Sequence, residues 1–278
     1  MTAPTAGRYC SAATANNSGA AGQATLTGDY ALVHALLTAA LAAVDSGQTA
    51  TLVEVHTGRH AALYCLGRLE EADEEYRTIE RLCPAVLDRA DATTVQVRSL
   101  THRTRFAEAI GLGLESLREL GITVPAADRL AAELDHQFGY LYRWLDHTEA
   151  ADDLARPDLT DPALLAACDL INATPTAAYF AGDLATVTWL GLEALRICLE
   201  RGPAPALVTP AAYTAFGAVA LRGDYAAGYR AARRTLELGE ARGYEPGTSQ
   251  ARAFFALFSC WAEPVENSVH AGQRARRH

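Results

Sequence analysis

The sequence contains no lysine, because all 24 of its basic residues are arginine. This absence excludes a Schiff-base lysine, a lysine general base and the lysine of a phosphate-binding P-loop. Cysteine and methionine are scarce, with six residues and one residue among 278. No C-x-x-C pair occurs, so we interpret the cysteines as reduced, buried thiols. They are Cys10, Cys65, Cys83, Cys168, Cys198 and Cys260.

The sequence also lacks a secretory signal and any apolar run long enough to cross a membrane, so we expect a cytoplasmic protein without membrane contacts. The net charge of −9 is unevenly distributed: residues 1–221 carry −12 and the chain from Arg222 onward carries +3. Nucleic-acid binding needs clustered cations on one face. The acidic charge therefore argues against a nucleic-acid partner, and we interpret residues 271–278 as a solvated basic tail.

The residues that are abundant favour an all-α fold, since half of the chain is hydrophobic and alanine and leucine recur at helical spacing. Gly and Pro mark the ends of the segments, and Asp161-Pro162 and Thr209-Pro210 each read as a cap followed by proline at the first helical position. The predicted helices are 30–46, 50–66, 69–82, 92–103, 106–119, 126–147, 162–180, 184–200, 210–221, 225–242, 248–261 and 264–275.

A turn followed by an aromatic residue or leucine recurs at intervals of 39, 37, 78 and 41 residues. The interval of 78 corresponds to two periods with one degenerate unit between them. A period of about 37–41 residues predicts helix–turn–helix pairs that stack into a right-handed α-solenoid. We assign residues 28–270 to this array and residues 1–27 to a flexible leader. The five turns are Gly28-Asp29-Tyr30, Gly67-Arg68-Leu69, Thr104-Arg105-Phe106, Gly182-Asp183-Leu184 and Gly223-Asp224-Tyr225.

Residues 61–84, AALYCLGRLEEADEEYRTIERLCP, resemble the second half of a tetratricopeptide repeat (TPR). Gly67 stands at the turn, Ala72 and Tyr76 at packing positions and Pro84 at the terminator. A small Ala72 permits close helix approach, and Tyr76 fills the groove between neighbouring helices. A second copy begins at Phe106, with Ala109 at the small position and Gly113 where the large residue belongs. The first-helix signature is weak, with His60 where a small residue is typical.

A longer resemblance covers roughly residues 50–270. The TPR pair is followed by RFAEAIGLGLESLRELGITVP, LTDPALLAACDLINATPTAAYFAGD, GDYAAGYRAARRTLELGEARG and FFALFSCWAEPVENSV. This order resembles the helical region of large bacterial AAA/STAND-type signalling ATPases, which often carry serine/threonine kinase and histidine-kinase modules. The resemblance implies a scaffold segment. No G-x-x-x-x-G-K is present, so no catalytic residue of that family has a matching position here.

Two polar pairs suggest metal chemistry. His56 and His60 stand four residues apart on a predicted helix, the spacing at which two imidazoles face one metal ion. No third ligand follows at a suitable spacing, and groove-lining or surface histidines are the alternative. Asp152 and Asp153 suggest a magnesium site, with a solvated acidic turn as the alternative. We expect neither a metal nor another cofactor.

Aromatic residues on the predicted helix 126–147 are the more distinctive candidates. Tyr140 and Trp144 are four residues apart and suit a concave groove that binds a peptide or a small apolar ligand, with His147 at the helix end. The alternative is that they pack between repeats. The same alternative is our interpretation of Tyr179, Phe180 and Trp189.

The leading hypothesis is a non-catalytic scaffold that binds a protein partner or peptide segment in a bacterial signalling or transcription-control system. The second is a small-molecule site, such as a cyclase-like enzyme, with acid–base groups in the groove. Its candidates are His102, Asp135, His136 and Asp146. The third is that the chain is a fragment of a larger ATPase or kinase. The sequence leaves the oligomeric state open.

Overall fold

A computed structural model describes residues 20–44, 47–245, 247–260 and the single positions 262, 264, 266, 269 and 273. Within these ranges the chain is all-α and contains no strand, as the sequence predicts. No helix there has the length and apolar character that crossing a membrane requires. The helices are α1 (Tyr30–Ala43), α2 (Thr49–Cys65), α3 (Leu69–Leu82), α4 (Val86–His102), α5 (Phe106–Glu119), α6 (Leu130–His147), α7 (Ala150–Ala155), α8 (Pro162–Ala173), α9 (Pro175–Phe180), α10 (Leu184–Arg201), α11 (Pro205–Arg222), α12 (Tyr225–Arg242) and α13 (Gly247–Ser259).

Helices α1, α3, α5, α10 and α12 begin at the residues that the repeated turns predict. Four of these turns have a glycine with φ between 64° and 76°, the left-handed conformation that glycine adopts without steric cost. The fifth has Thr104 with φ 59°, so the turn geometry is kept where glycine is missing. In three turns an aspartate follows the glycine, and its carboxylate accepts a hydrogen bond from the first turn of the helix at 2.9–3.0 Å.

The chain divides into two compact units, unit 1 (Met1–Arg103) and unit 2 (Thr104–His278). In unit 1, α2 packs against α1, α3 and α4. Ala72 is fully buried and Tyr76 is almost so, as the TPR resemblance implies. The Tyr76 hydroxyl lies 3.0 Å from the hydroxyl of Thr93, which joins α3 to α4.

In unit 2, α10, α11, α12 and α13 pack in succession, and α11 also contacts α8 and α13. Trp189 of α10 is buried in this stack, as predicted. Ala109 of α5 is fully buried. A Cβ on Gly113 would lie 2.3 Å from Thr174 Oγ1, so the close approach of Thr174 explains why a large residue is missing at position 113.

The long interval between the turns at Thr104 and Gly182 holds five helices, α5 to α9, of which α7 and α9 are only six residues long. Glu149 and Asp152 form a reciprocal capping box at the start of α7. The sequence analysis did not predict this helix, because six residues are too few to show helical periodicity.

Several predicted helix boundaries are wrong, and proline explains two of them. The predicted helix 162–180 is broken after Ala173, since Pro175 lacks the N–H that would continue the ladder. Pro210 lies inside α11, which begins at Pro205 instead. Helix α4 begins at Val86 rather than at 92, and α6 begins at Leu130 rather than at 126.

The terminal predictions are only partly within the described ranges. Residues 20–26 of the predicted leader are helical, with Ala21 and Ala24 buried against unit 1, so this part is not a loose leader. Residues 1–19, and almost all of the predicted helix 264–275 and the basic tail 271–278, lie outside the described residues.

The prediction that the cysteines are buried holds for three of the five described. Cys83, Cys168 and Cys198 are buried, whereas Cys65 and Cys260 are exposed. All five are free thiols, as predicted. Cys10 lies outside the described residues.

Candidate functional site

Aromatic rings from four helices of unit 2 form a line that we call the aromatic row. It consists of Phe106, Phe180, Tyr179, Phe216, Tyr213 and Phe254. Ring centroids are 6.0 Å apart for Phe106 and Phe180, 5.5 Å for Phe180 and Tyr179, and 5.8 Å for Tyr179 and Phe216. Tyr213 stands one helical turn before Phe216 on α11, and its ring lies 4.7 Å from that of Phe254. These are stacked or edge-to-face distances. The rings therefore form a series of four, from Phe106 to Phe216, and a pair, Tyr213 and Phe254, and both sets include a residue of α11.

The packing of the helices of unit 2 positions this row. Phe180, Phe216 and Phe254 lie on α9, α11 and α13. Phe180 stands two residues before Gly182 and Phe216 seven residues before Gly223, so the two do not occupy equivalent repeat positions. Helix α11 packs against α13, and ring contact joins it to α9.

The row is open to solvent at one end. Phe180 is 64 % exposed and Tyr179 is 48 % exposed, so the interpretation that both pack between repeats is wrong. They are the last two residues of α9, a helix of six residues, so no further helical turn follows to cover them. On α13, Leu257 stands three residues after Phe254 and is 62 % exposed. Exposed aromatic clusters of this kind mark interaction sites more often than isolated apolar residues do.

Charged side chains are few on three of the four helices of the row. Helices α9, α11 and α13 contain two, both arginines, whereas α5 contains four: Glu108, Glu115, Arg118 and Glu119. Arg222 forms an ion pair with Asp135, and Arg252 bonds Glu240 at 2.9 Å and Glu245 at 3.1 Å. Burial raises the pKa of Tyr213, against the effect of a hydrogen bond with Thr176, so its hydroxyl stays neutral at physiological pH. The surface therefore offers apolar area and hydroxyl groups.

The predicted groove residues of α6 do not form a comparable surface. Trp144 is buried, and its indole N–H donates to both carboxylate oxygens of Asp153 at 3.0–3.1 Å. Tyr140 is half-buried, with the Arg143 guanidinium 4.6 Å from its ring centre. His147 is exposed at the helix end. Trp144 thus has the core role that was the alternative interpretation.

Asp153 and Arg234 complete a buried network around Trp144. All five N–H donors of Arg234 are hydrogen-bonded, to Asp153, to the backbone carbonyls of Trp144, Thr148 and Glu149, and to the Thr148 hydroxyl, at 2.6–2.8 Å. The guanidinium also stacks 4.6 Å above the Trp144 ring. The expectation that Asp153 belongs to a solvated acidic turn is wrong, because its carboxylate is a buried partner of this arginine.

The candidate acid–base groups do not converge in a closed pocket. Asp135 and His136 are mostly exposed on α6, and Asp146 is half-exposed and pairs with Arg230 at 2.9 Å. His102 belongs to unit 1, where its Nδ1 lies 2.8 Å from the Tyr64 hydroxyl. The hypothesis of a catalytic groove requires these groups to meet, and the described geometry gives it no support.

The two histidines of α2 have different partners. His56 Nδ1 lies 2.5 Å from Glu75, which also binds Arg59 at 2.6 Å. His60 is fully buried, rather than in a groove or at the surface, and its Nε2 lies 3.0 Å from Gln96 Oε1. Among the described residues no group of three His, Cys, Asp or Glu side chains suits a metal ion.

Gln96 links His60 to a charged pair. The amide nitrogen of Gln96 donates to Asp73 at 2.7 Å, and Arg103 binds the same carboxylate through two bonds at 2.6 and 2.7 Å. The Gln96 oxygen must therefore accept from His60, which fixes the Nε2–H tautomer. His60 Nδ1 is buried without a hydrogen-bond partner, and burial lowers the pKa of this imidazole.

Comparisons with known proteins give the chain no family: no family model matches it, and no curated protein matches it significantly.

Proposed function

We propose that this chain is a non-catalytic scaffold whose aromatic row binds a segment of another protein. The observation that carries the proposal is the row itself: four rings contact in series, Tyr213 and Phe254 form a further pair, and Phe180 and Tyr179 are largely exposed. Aromatic side chains dominate the binding energy of many protein interfaces because they bury large areas with few rotatable bonds.

The proposal includes the finer architecture. The helix pairs are degenerate TPR-like repeats with a right-handed sense of stacking, supported by the turns at Gly67, Gly182 and Gly223 and by the buried Ala72 and Ala109. Adjacent repeats of this kind expose long, nearly continuous faces that suit protein ligands. The resemblance to the helical region of signalling ATPases favours a regulatory role in a bacterial signalling or transcription-control system.

The clustering of exposed rings supports a binding role over accidental exposure. A single exposed aromatic residue needs no functional explanation. Phe180 and Tyr179 are exposed next to each other, and their rings contact Phe106 and Phe216, which gathers apolar area at a cost in solubility that a partner would offset.

Photo-crosslinking in the cells that make the protein tests this proposal. A photoreactive phenylalanine analogue replaces Phe180 in one variant and Leu154 in a control variant. Leu154 is a 44 % exposed apolar residue of unit 2 outside the row. We expect a discrete protein adduct from position 180 that is missing from position 154. If positions 180, 216 and 254 all give no adduct, or if position 154 gives the same adduct, the row is not the binding site.

A further inference from the structure

The segment of residues 148–156, which we call the lid segment, contributes little to the core of unit 2. It consists of the six-residue α7 and the residues that flank it, and Asp153 is its only buried residue. Its main helix contact is with α12. A helix of this length is not stable by itself in water, so the conformation of the lid segment depends on its attachments.

Arginine side chains attach the lid segment to the helices beside it. Arg234 of α12 binds the buried carboxylate of the segment. Arg242, the last residue of α12, donates to the carbonyl groups of Leu154 at 3.0 Å and Arg156 at 2.5 Å. Arg156 in turn donates to the carbonyl of Leu199 on α10 at 2.5 Å. A segment that is held by polar contacts and buries few apolar side chains opens at a lower free energy than the core does.

A small, mostly apolar cavity lies beside the lid segment. Asp153 is the one residue of the segment that lines this cavity. The other lining residues include Cys198 of α10, Leu207 of α11 and Leu238 of α12. Burial raises the pKa of the Cys198 thiol to about 12, and the charges of Asp153 and Arg156 also act on it. The thiol therefore lies close to the lid segment.

We infer that the lid segment opens while α10, α11 and α12 stay folded, and that its opening gives small, uncharged molecules access to this cavity. Both ends of the segment are anchored. Trp144 and Leu145 are buried before it, and Leu159 after it is buried and donates its N–H to the Pro203 carbonyl at 3.0 Å. The segment therefore moves as a loop between two fixed ends. Its carboxylate leaves the cavity with it, so the lining that remains is almost wholly apolar. This inference does not depend on the proposed function.

Thiol labelling of the full-length protein tests the lid, because Cys198 lies beside the segment and Cys168 does not. Cys168 is on α8, which packs mainly against α5 and α11. Both thiols are buried, and burial raises the pKa of both to about 12, so each reacts only when the structure around it opens. Iodoacetamide, a small uncharged reagent, is applied to the native protein over hours, and peptide mass spectrometry measures each site. We expect Cys198 to react at least about tenfold faster than Cys168.

Three variants separate lid opening from unfolding of unit 2. Arg242→Met removes an attachment of the lid segment and should raise the labelling rate of Cys198 at least about tenfold. Gly113→Ala strains unit 2 away from the lid, so it should speed the labelling of Cys168 and leave the rate at Cys198 unchanged. Arg233→Met is the matched control, since this arginine lies on the same helix and pairs only with Glu237, and it should change neither rate.

Two sets of results would overturn the lid. Equal rates at Cys168 and Cys198 in the wild type, or equal acceleration of both by Gly113→Ala, would mean that both thiols are reached only when unit 2 unfolds. Arg156→Met removes the bond to α10 and repeats the test from the second attachment. A Cys198 rate that neither Arg242→Met nor Arg156→Met raises would mean that the thiol is reached by another route.

Discussion

Replacing Arg234 by methionine should destabilise unit 2 strongly, whereas the same change at the adjacent Arg233 should not. Arg234 is 10 % exposed at its side chain, and its partner Asp153 is 4 % exposed. Removing the arginine leaves a buried carboxylate without its cation, a loss of about 3–5 kcal/mol. It also removes the arginine donor from the carbonyls of Trp144 and Thr148 at the end of α6, and only the Trp144 carbonyl keeps another donor, the Thr148 hydroxyl.

Arg233 is the matched control because it differs from Arg234 only in its environment. Its side chain is 58 % exposed and pairs with Glu237 four residues along α12. Surface pairs of this kind contribute about 0–1 kcal/mol. The two variants thus change the same residue type on the same helix, and burial alone separates their expected effects.

Tryptophan fluorescence measures this difference, because all three tryptophans of the chain lie in residues 104–278. Urea titration should give a free energy of unfolding about 3–5 kcal/mol lower for Arg234→Met, and a Tm about 6–20 °C lower. Adding Asp153→Leu should recover part of the loss, because no buried charge then remains unpaired. If Arg234→Met falls within about 1 kcal/mol of Arg233→Met, the network is not a principal stabiliser and the reasoning is refuted.

Three further predictions concern packing, titration and thiol chemistry. Gly113→Ala should lower the free energy of unfolding by about 1–3 kcal/mol, since the new Cβ would lie 2.3 Å from a threonine hydroxyl. On the same helix, the Cβ of Gly111→Ala meets nothing within 4 Å, so this variant should raise the free energy of unfolding by about 0.5–1 kcal/mol. Thermal melts of the two variants measure both changes. Because burial lowers the pKa of His60, only the unfolded state binds its proton as pH falls below about 6.5. Unit 1 should therefore lose stability from that pH downward, and circular dichroism melts of His60→Gln should show a smaller loss of stability with falling pH. An equal loss in the wild type and the variant would contradict the role of His60. Maleimide labelling of the native protein at pH 7.5 should modify the exposed Cys65 and Cys260. It should spare Cys168 and Cys198, because burial raises the pKa of both thiols to about 12. Equal labelling rates for the two pairs would contradict this prediction.

The turn register was predictable because its signals are local. A glycine in the left-handed conformation and a capping aspartate act on the helix that follows them directly, so five helix starts follow from the sequence alone. At Thr104 the preference for glycine at a positive φ would not have predicted a turn, and the spacing between the repeated turns predicted it instead.

The role of Pro210 was predicted wrongly because the packing of α11 against its neighbouring helices outweighs the local tendency of proline to begin a helix. Pro210 reads as a helix start after Thr209, yet α11 continues through it, since Pro205 already supplies the first helical position. Residues on both sides of Pro210 are buried in the stack. Burial can hold a helix together around a missing hydrogen bond, and no pattern within a few residues reports that burial.

Long-range partners were not predictable. Arg233 and Arg234 are adjacent and chemically identical in sequence, and only the contact of Arg234 with Asp153, 81 residues away, separates them. Asp153 was misread for the same reason. The aromatic row left no local signal either, because its rings come from four helices that are far apart in the sequence.

The buried polar candidates stabilise the fold, whereas Phe180 of the aromatic row is largely exposed, and this difference supports the proposed binding role of the row. Two polar groups that suggested chemistry in the sequence have buried structural partners: His60 has Gln96, and Asp153 has Arg234. Changing either of them alters folding, so a loss of activity there would not identify a binding site. Phe180 contributes little to the core, since most of its side chain is exposed, and its replacement by serine should change stability by no more than about 0.5 kcal/mol. A partner that is lost with this substitution while the urea midpoint is unchanged would therefore assign Phe180 to binding, and a midpoint that falls with the partner would assign it to the fold.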